Sequence, residues 1–116
     1  MQFTLIVCTY KRRQALQNLL ESVRLQTLYP TEILIIDGSP DDETKFFLEQ
    51  TEYQNLKYYK VPDHERGLTK QRNYGIARVE EQAQIICFLD DDTILDSNYF
   101  YNIIQTYKTY PQALGV

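Results

Sequence analysis

The alternation of short apolar runs with longer segments of helical period is the feature that most constrains how this chain can fold. Residues 3–9, 32–37, 56–61 and 85–89 form the apolar runs, and each run predicts a strand. Residues 33–36 are consecutive aliphatic side chains, a pattern typical of a parallel strand that helices cover on both faces. The chain is therefore expected to build a sheet whose middle strands are fully buried.

The segments between these runs predict helices. The first helix carries one apolar stripe at helical spacing, formed by Ala15, Leu16, Leu19, Leu20 and Val23. A second is predicted to begin with Ser39 as its cap and Pro40 in its first turn, and to run to about residue 52. A third spans residues 68 to about 81. A fourth ends at Pro111 and has as its apolar positions Tyr99, Phe100, Ile103, Ile104 and Tyr107. Residues 114–116 are predicted to start another strand. This βαβαβαβα order predicts an α/β fold, an open, mostly parallel sheet with helices on both faces.

Charge and cysteine placement narrow the possible functions. The formal net charge of −4, from 16 acidic and 12 basic side chains, disfavours binding to nucleic acid. Cys8 and Cys87 each lie inside an apolar run, so we expect reduced, buried thiols rather than a disulfide or a metal pair. No apolar run approaches the roughly 18 residues that span a bilayer, and residues 1–7 lack the features of a secretory signal. These features predict a cytoplasmic protein, with loose attachment to the inner face of the membrane left open.

Polar side chains follow three of the predicted strands at the point where each strand ends. They are Thr9 and Tyr10, then Asp37, then the carboxylates of Asp90, Asp91 and Asp92. In an open α/β sheet, ligands bind beyond the carboxyl ends of the strands, so these residues are the first candidates for a site. Adjacent carboxylates about 4 Å apart repel each other by about 4 kcal/mol at an effective surface dielectric, and a divalent cation relieves that repulsion. The alternative is a solvated acidic loop that precedes a helix.

Other polar residues near these strand ends admit both a functional and an ordinary role. Tyr10 can stack on a nucleobase or pack at a surface, and Asp37 can accept hydrogen bonds from a base or sugar or form a turn. Arg72 can bind phosphate or pair with a carboxylate. His64 has no partner at a catalytic spacing and is predicted to be a solvated loop residue. The glycines form neither a dinucleotide-binding fingerprint nor a phosphate-binding loop, and no serine nucleophile motif is present.

Five sequence fragments occur in a fixed order across nearly the whole chain. They are LIVCTYK at 5–11, LQT at 25–27, IIDGSPD at 35–41, GLTKQRNYG at 67–75 and FLDDD at 88–92. Together they resemble the amino-terminal half of family-2 glycosyltransferases with the GT-A fold, a Rossmann-like nucleotide-binding half. The first fragment resembles the family's strand followed by Thr-Tyr-Asn, and the last resembles its metal-binding Asp-x-Asp. In two departures, Lys11 stands where asparagine is common and Ile36 replaces a frequent first acid before Asp37.

The resemblance implies a nucleoside-binding role for four of these residues. Thr9 and Tyr10 would line the nucleoside pocket, with Tyr10 against the base. Asp37 would hydrogen-bond the base, which in this family is usually uracil. Arg72 would approach the nucleotide or help to hold the acidic loop.

The resemblance also implies a divalent ion, Mn²⁺ or Mg²⁺, at the acidic loop. Asp90 and Asp91 would lie near the ribose and the metal, and Asp92 would be the direct metal ligand, with Asp90 as the second. The ion would stabilise the negative charge that develops on the departing nucleoside diphosphate.

The implied reaction is an inverting transfer of a sugar from a nucleotide-diphospho-sugar, most often a UDP-sugar, to a hydroxyl of a saccharide or lipid-linked acceptor. A carboxylate must take the acceptor proton, and the resemblance places that general base beyond Val116, so no catalytic base is predicted within these residues. We therefore expect residues 1–116 to form a single nucleotide-sugar-binding domain, truncated before the acceptor-binding half. An exposed sheet edge would allow it to self-associate.

Two other interpretations stay open at this point. A phosphatase of the haloacid-dehalogenase type also has an apolar strand followed by Asp-x-Asp. That family expects Thr or Val where Ile94 stands, and its loop usually follows the first strand rather than the fourth. The second interpretation is a truncated, non-catalytic nucleotide-binding module.

Overall fold

The structure is a computed structural model that describes residues 1–110. Its strands and helices, in chain order, are β1 (Phe3–Thr9), α1 (Arg13–Arg24), β2 (Glu32–Asp37), α2 (Glu43–Glu49), β3 (Leu56–Lys60), α3 (Leu68–Ile76), β4 (Ile85–Asp90) and α4 (Tyr99–Thr109). A single 3₁₀ turn, Asp63–Glu65, lies between β3 and α3. Pro111 and the strand predicted at 114–116 lie outside the described residues.

The strands form one sheet in the order β3-β2-β1-β4, and every neighbouring pair is parallel. Parallel neighbours require a crossover between them, and the helices supply these connections. The α/β sheet predicted from the sequence is confirmed. β1 and β2 lie in the middle, which explains why residues 33–36 are all apolar: helices cover both of their faces.

Alternate side chains of the middle strands serve two separate cores. On one face, Leu5 and Val7 of β1 and Ile33 and Ile35 of β2 pack with the apolar stripe of α1 and with α4. On the other face, the residues that pack beneath α3 are Ile6, Leu34 and Ile36. The helices on one face of the sheet thus bury a different set of strand side chains from the helix on the other face, and the sheet is held between these two helical layers.

Gly75 allows α3 to lie very close to the sheet. A Cβ atom at this position would come within 3.0 Å of Ile6 Cγ2 and 3.2 Å of Ile36 Cγ1. These contacts are tighter than side chains normally make, so the helix reaches this position because residue 75 has no side chain.

Two helices differ from the sequence prediction. α2 begins at Glu43 rather than after Ser39, because the Ser39 hydroxyl accepts a hydrogen bond from the backbone N–H of Lys11 instead of capping the helix. α3 ends at Ile76 rather than near residue 81. The backbone N–H of Glu80 bonds to the Glu32 carboxylate in β2, which draws the chain out of the helix.

β4 is half exposed, not buried as its apolar sequence predicted. In residues 1–110 it forms one edge of the sheet, and α3 packs mainly on β1 and β2. Ile86 and Phe88 are therefore 38% and 39% exposed on that face. Self-association through this edge stays a prediction.

Cys8 and Cys87 are both free thiols and are partly buried rather than fully buried as predicted. Within the described part of the chain, no helix is both long and apolar enough to cross a membrane.

Candidate functional site

The strand register places the predicted site residues at one edge of the sheet. β1 lies between β2 and β4, with Thr9 opposite Asp37 on one side and Cys8 opposite Asp90 on the other. The two acidic strand ends therefore flank the end of β1. This is the edge at which open α/β sheets bind their ligands.

A cleft of about 540 Å³ opens at this edge. The lining residues come from the end of β1, the segment that leads into α3, and the acidic loop after β4: Cys8, Thr9, Tyr10, Arg12, Arg66, Gly67, Leu68, Gln71, Asp90, Asp91 and Asp92. Five of the seven nucleotide- and metal-site residues predicted from the sequence are in this set: Thr9, Tyr10, Asp90, Asp91 and Asp92.

Asp91 is the most enclosed carboxylate of the acidic loop. It is only 7% exposed, and the Thr9 hydroxyl donates a 2.9 Å hydrogen bond to its Oδ2 atom. Burial raises the pKa of Asp91 above its ordinary value, and the Thr9 hydrogen bond and the nearby Arg12 charge only partly oppose that shift. Thr9 and Asp91 therefore tie the ends of β1 and β4 together at the base of the cleft.

Arg12 bridges two carboxylates of the acidic loop. Its Nη1 atom lies 3.3 Å from Asp91 Oδ1 and 3.4 Å from Asp92 Oδ2. Arg12 was not predicted as a site residue, because the pairing joins residues about eighty positions apart. The guanidinium neutralises part of the negative charge at the cleft.

Tyr10 offers an aromatic surface at the cleft. Its side chain is 46% exposed, and the guanidinium of Arg66 lies 5.5 Å from the centre of its ring. Arg66 is held in turn by a 2.6 Å hydrogen bond from its Nε atom to the carbonyl of Gly38. An exposed, positioned tyrosine ring of this kind can stack on a nucleobase.

Gln71 joins the cleft to the ends of both middle strands and was not predicted as a site residue. Its Nε2 atom donates to the carbonyls of Thr9 and Ile36, at 3.2 and 3.0 Å, and its Oε1 atom accepts from the backbone N–H of Gly67. Gly67 has φ +119°, a conformation that favours glycine. Gln71 lies one helical turn before Gly75, so its presence on the sheet-facing side of α3 could have been read from the spacing.

Asp37 and Arg72 do not line the cleft in the described residues. The Asp37 carboxylate is fully buried and accepts hydrogen bonds from the Tyr58 hydroxyl at 2.6 Å and from the backbone N–H of Ser39 at 2.8 Å. The Arg72 guanidinium lies 5.4 Å from the centre of the Phe88 ring, beside exposed β4. The roles that the resemblance implies for these two residues stay predictions.

Two other potentially reactive side chains are His64 and Cys8. His64 is 79% exposed on the 3₁₀ turn, in agreement with its prediction as a solvated loop residue. Burial raises the pKa of the Cys8 thiol to about 11, so it is neutral near pH 7 and unsuited to act as a nucleophile.

The donor set at the acidic loop fits a divalent ion only in part. Asp90, Asp91 and Asp92 supply the oxygen ligands that Mg²⁺ and Mn²⁺ prefer, and Asp92 is 62% exposed and accessible. Among residues 1–110, however, no three acidic, histidine or cysteine side chains are grouped so as to hold an ion on their own. An ion at this loop would need further oxygens, such as those of a diphosphate.

Lys11, between the cleft residues Tyr10 and Arg12, has a strained backbone. Its φ is +52°, in the left-handed region that asparagine and glycine tolerate better than lysine, and asparagine is common here in the family that the sequence resembles. We expect Lys11→Asn to raise the free energy of unfolding by about 0.5–1 kcal/mol. Chemical denaturation measures this gain, and Lys11→Ala, which keeps the strain, should show none. Equal stability of Lys11→Asn and Lys11→Ala would contradict the strain argument.

Residues 4–116 match the family model described as glycosyl transferase family 2. The chain belongs to that family. The resemblance seen in the sequence fragments is thereby confirmed, and the haloacid-dehalogenase alternative is not favoured.

The curated relatives are glycosyltransferases of several kinds. The O-antigen chain rhamnosyltransferase RfbN of Salmonella typhimurium is 30% identical over 105 residues, which are 90% of this chain and 32% of that protein. The glucosyl-dolichyl phosphate glucuronosyltransferase of Haloferax volcanii is 26% identical, over 100% of this chain and 37% of that protein. This family-2 chain thus spans about a third of the length of these relatives.

The fold is also shared with a solved structure. Residues 1–349 of TarS from S. aureus match with a TM-score of 0.81 at 23% identity, over 96% of this chain and 33% of that one. The same TarS segment was solved in complex with UDP-GlcNAc, with a TM-score of 0.81 over 96% of this chain and 32% of that one. The GT-A type of α/β fold is confirmed for this family-2 chain.

Proposed function

We propose that this chain is the donor-binding part of an inverting family-2 glycosyltransferase. It binds a nucleotide-diphospho-sugar, a UDP-sugar above all, in the cleft at the ends of β1 and β4. The observation that carries this proposal is the meeting of the exposed Tyr10 ring and the acidic loop in one cleft. Family membership and the UDP-GlcNAc complex of TarS, which shares the fold, support a nucleotide-sugar as donor.

Each part of the cleft suits one part of such a donor. The Tyr10 ring stacks on the base, and the Arg66 guanidinium lies beside that ring in the same cleft. Asp90 and Asp92 would hold Mn²⁺ or Mg²⁺, and such an ion would supply positive charge to offset that of the diphosphate. The Thr9 hydroxyl holds the Asp91 carboxylate in place by donating a hydrogen bond to it. The acceptor, a saccharide or a lipid-linked sugar, and the general base that takes its proton are supplied from outside these residues.

The proposed contact between Asp37 and the base requires a rearrangement. Both carboxylate oxygens are already engaged, one by Tyr58 and one by the backbone of Ser39. A base N–H gains access to Asp37 Oδ2 when the Tyr58 hydroxyl moves away. We therefore propose that donor binding breaks the hydrogen bond between Tyr58 and Asp37, and that Asp37 then accepts a hydrogen bond from the base.

Isothermal calorimetry with UDP, with and without Mn²⁺, tests the proposed function. We expect Mn²⁺ to tighten UDP binding at least about tenfold, because the diphosphate and the carboxylates share the ion. Asp92→Ala should remove that gain while leaving the metal-free affinity for UDP close to that of the parent.

Glu49→Ala is the matched control, since Glu49 is an exposed acid at the end of α2 and does not line the cleft. It should keep the full effect of Mn²⁺. The donor-binding proposal is refuted if UDP binds the parent neither with Mn²⁺ nor without it. An undiminished Mn²⁺ effect in Asp92→Ala would remove Asp92 from the metal site.

A further inference from the structure

The guanidinium of Arg12 lies between two carboxylates of the acidic loop, and one of them, Asp92, is a proposed metal ligand. It lies 3.3 Å from Asp91 Oδ1 and 3.4 Å from Asp92 Oδ2. Among residues 1–110, Arg12 is the one basic side chain within ion-pair distance of either carboxylate. Without a divalent ion, this contact relieves the repulsion within the acidic loop.

The backbone of Arg12 is held in place, whereas its side chain is largely exposed to solvent. The Arg12 carbonyl accepts the 2.9 Å hydrogen bond from Leu16 that starts α1, and the preceding Lys11 N–H bonds to the Ser39 hydroxyl at 2.7 Å. The Arg12 side chain is 57% exposed. The guanidinium can therefore leave the carboxylates by rotating about its own side-chain bonds, with no movement of the sheet or of α1.

We propose that Arg12 is an exchangeable cation, which pairs with Asp91 and Asp92 in the free protein and moves to the donor diphosphate when the metal ion takes its place. This inference rests on the proposed function. A guanidinium binds phosphate oxygens in a bidentate manner, and Arg12 lines the same cleft as the acidic loop. A diphosphate in that cleft thus offers Arg12 a new partner as the metal displaces it.

The exchange makes metal and nucleotide binding cooperative. A metal ion that binds alone must displace Arg12 and leave it without a partner. A metal ion that binds with UDP displaces Arg12 onto phosphate oxygens, so each ligand favours the other. Because such coupling is reciprocal, the factor by which UDP tightens metal binding equals the factor by which the metal tightens UDP binding.

The experiment measures Mn²⁺ affinity at pH 7, with and without saturating UDP, by electron paramagnetic resonance of free Mn²⁺. In Arg12→Gln, we expect Mn²⁺ alone to bind about threefold to fivefold more tightly than in the parent, since a partly exposed ion pair no longer competes. The factor by which UDP tightens Mn²⁺ binding should fall by at least that amount. Arg12→Lys keeps the positive charge but loses the planar guanidinium that binds phosphate in a bidentate manner. Its Mn²⁺ affinity and its coupling to UDP should therefore lie between those of the parent and those of Arg12→Gln.

Arg13→Gln is the matched control. It removes the same charge from the next residue, whose side chain pairs with Glu43 and not with the acidic loop. Any general effect of charge on the cleft appears in both variants. The inference is overturned if Arg12→Gln binds Mn²⁺ no more tightly than Arg13→Gln, or less tightly than the parent. It is also overturned if Mn²⁺ binds neither the parent nor Arg12→Gln. The metal-alone measurement decides this even if the parent fails to bind UDP, which would refute the proposed function separately.

Discussion

Replacement of Gln71 by methionine is expected to lower the free energy of unfolding by about 2–3 kcal/mol, because it removes three hydrogen bonds worth about 1 kcal/mol each from a buried side chain of similar shape. For a chain of this size, the thermal midpoint should fall by at least about 10 °C. Differential scanning calorimetry measures both quantities. The expected effect is large because Gln71, only 4% exposed, joins α3 to the ends of β1 and β2.

Gln14→Met provides the comparison for this change. Gln14 is exposed on α1 and its amide bonds only to Asn18 one turn along, so the same substitution should change stability by less than about 0.5 kcal/mol. Similar losses in the two variants would show that Gln71 does not hold the strand ends together.

Tyr58→Phe is expected to lower the free energy of unfolding by about 2 kcal/mol, because it removes a hydrogen bond to the fully buried Asp37 carboxylate. The same change frees one acceptor position on Asp37 Oδ2, which we propose receives the N–H of the base. At a temperature where both proteins are folded, we therefore expect UDP to bind about fivefold more tightly than to the parent. Urea denaturation and calorimetry with UDP measure the two effects.

Tyr59→Phe is the control for this second prediction. Tyr59 is the next residue in β3 and packs against Tyr74 on the opposite face of the sheet, away from Asp37. It should leave both stability and UDP affinity nearly unchanged. An unaltered UDP affinity in Tyr58→Phe would remove Asp37 from the proposed base contacts, whereas unaltered stability would mean that the hydrogen bond contributes little.

The middle strands could be predicted to the residue. β1 and β2 have the bounds expected from their apolar runs, because burial on both faces keeps nearly all of their inner positions apolar. β4 has an equally apolar sequence but is half exposed. Its burial depends on what lies beside it in space, and that information is not contained in the strand's own residues.

Helix ends were predicted less well, because distant partners compete for the same groups. Ser39 is a good cap by residue type, yet its hydroxyl is used by Lys11, 28 positions earlier. Glu80 continues a helical pattern, yet its N–H is taken by Glu32, 48 positions earlier. Local propensity cannot reveal such competition.

The site was predicted at the level of strand ends and missed at the level of the side chains that connect them. The rule that ligands bind beyond parallel strand ends located the acidic loop and the Thr9–Tyr10 turn. Arg12, Arg66 and Gln71 were missed because their importance lies in pairings across the fold. The buried state of Asp37 was missed for the same reason, since Tyr58 belongs to another strand.

The absent side chain at Gly75 has a consequence for engineering the cleft. The helix that carries Gln71 rests directly on Ile6 and Ile36, so a side chain added at position 75 would crowd both residues and displace the helix. Mutant libraries that aim to change what the cleft binds should therefore keep residue 75 fixed. Diversity belongs at the exposed position Leu68, which lines the cleft and where substitutions reshape the opening without shifting the layers.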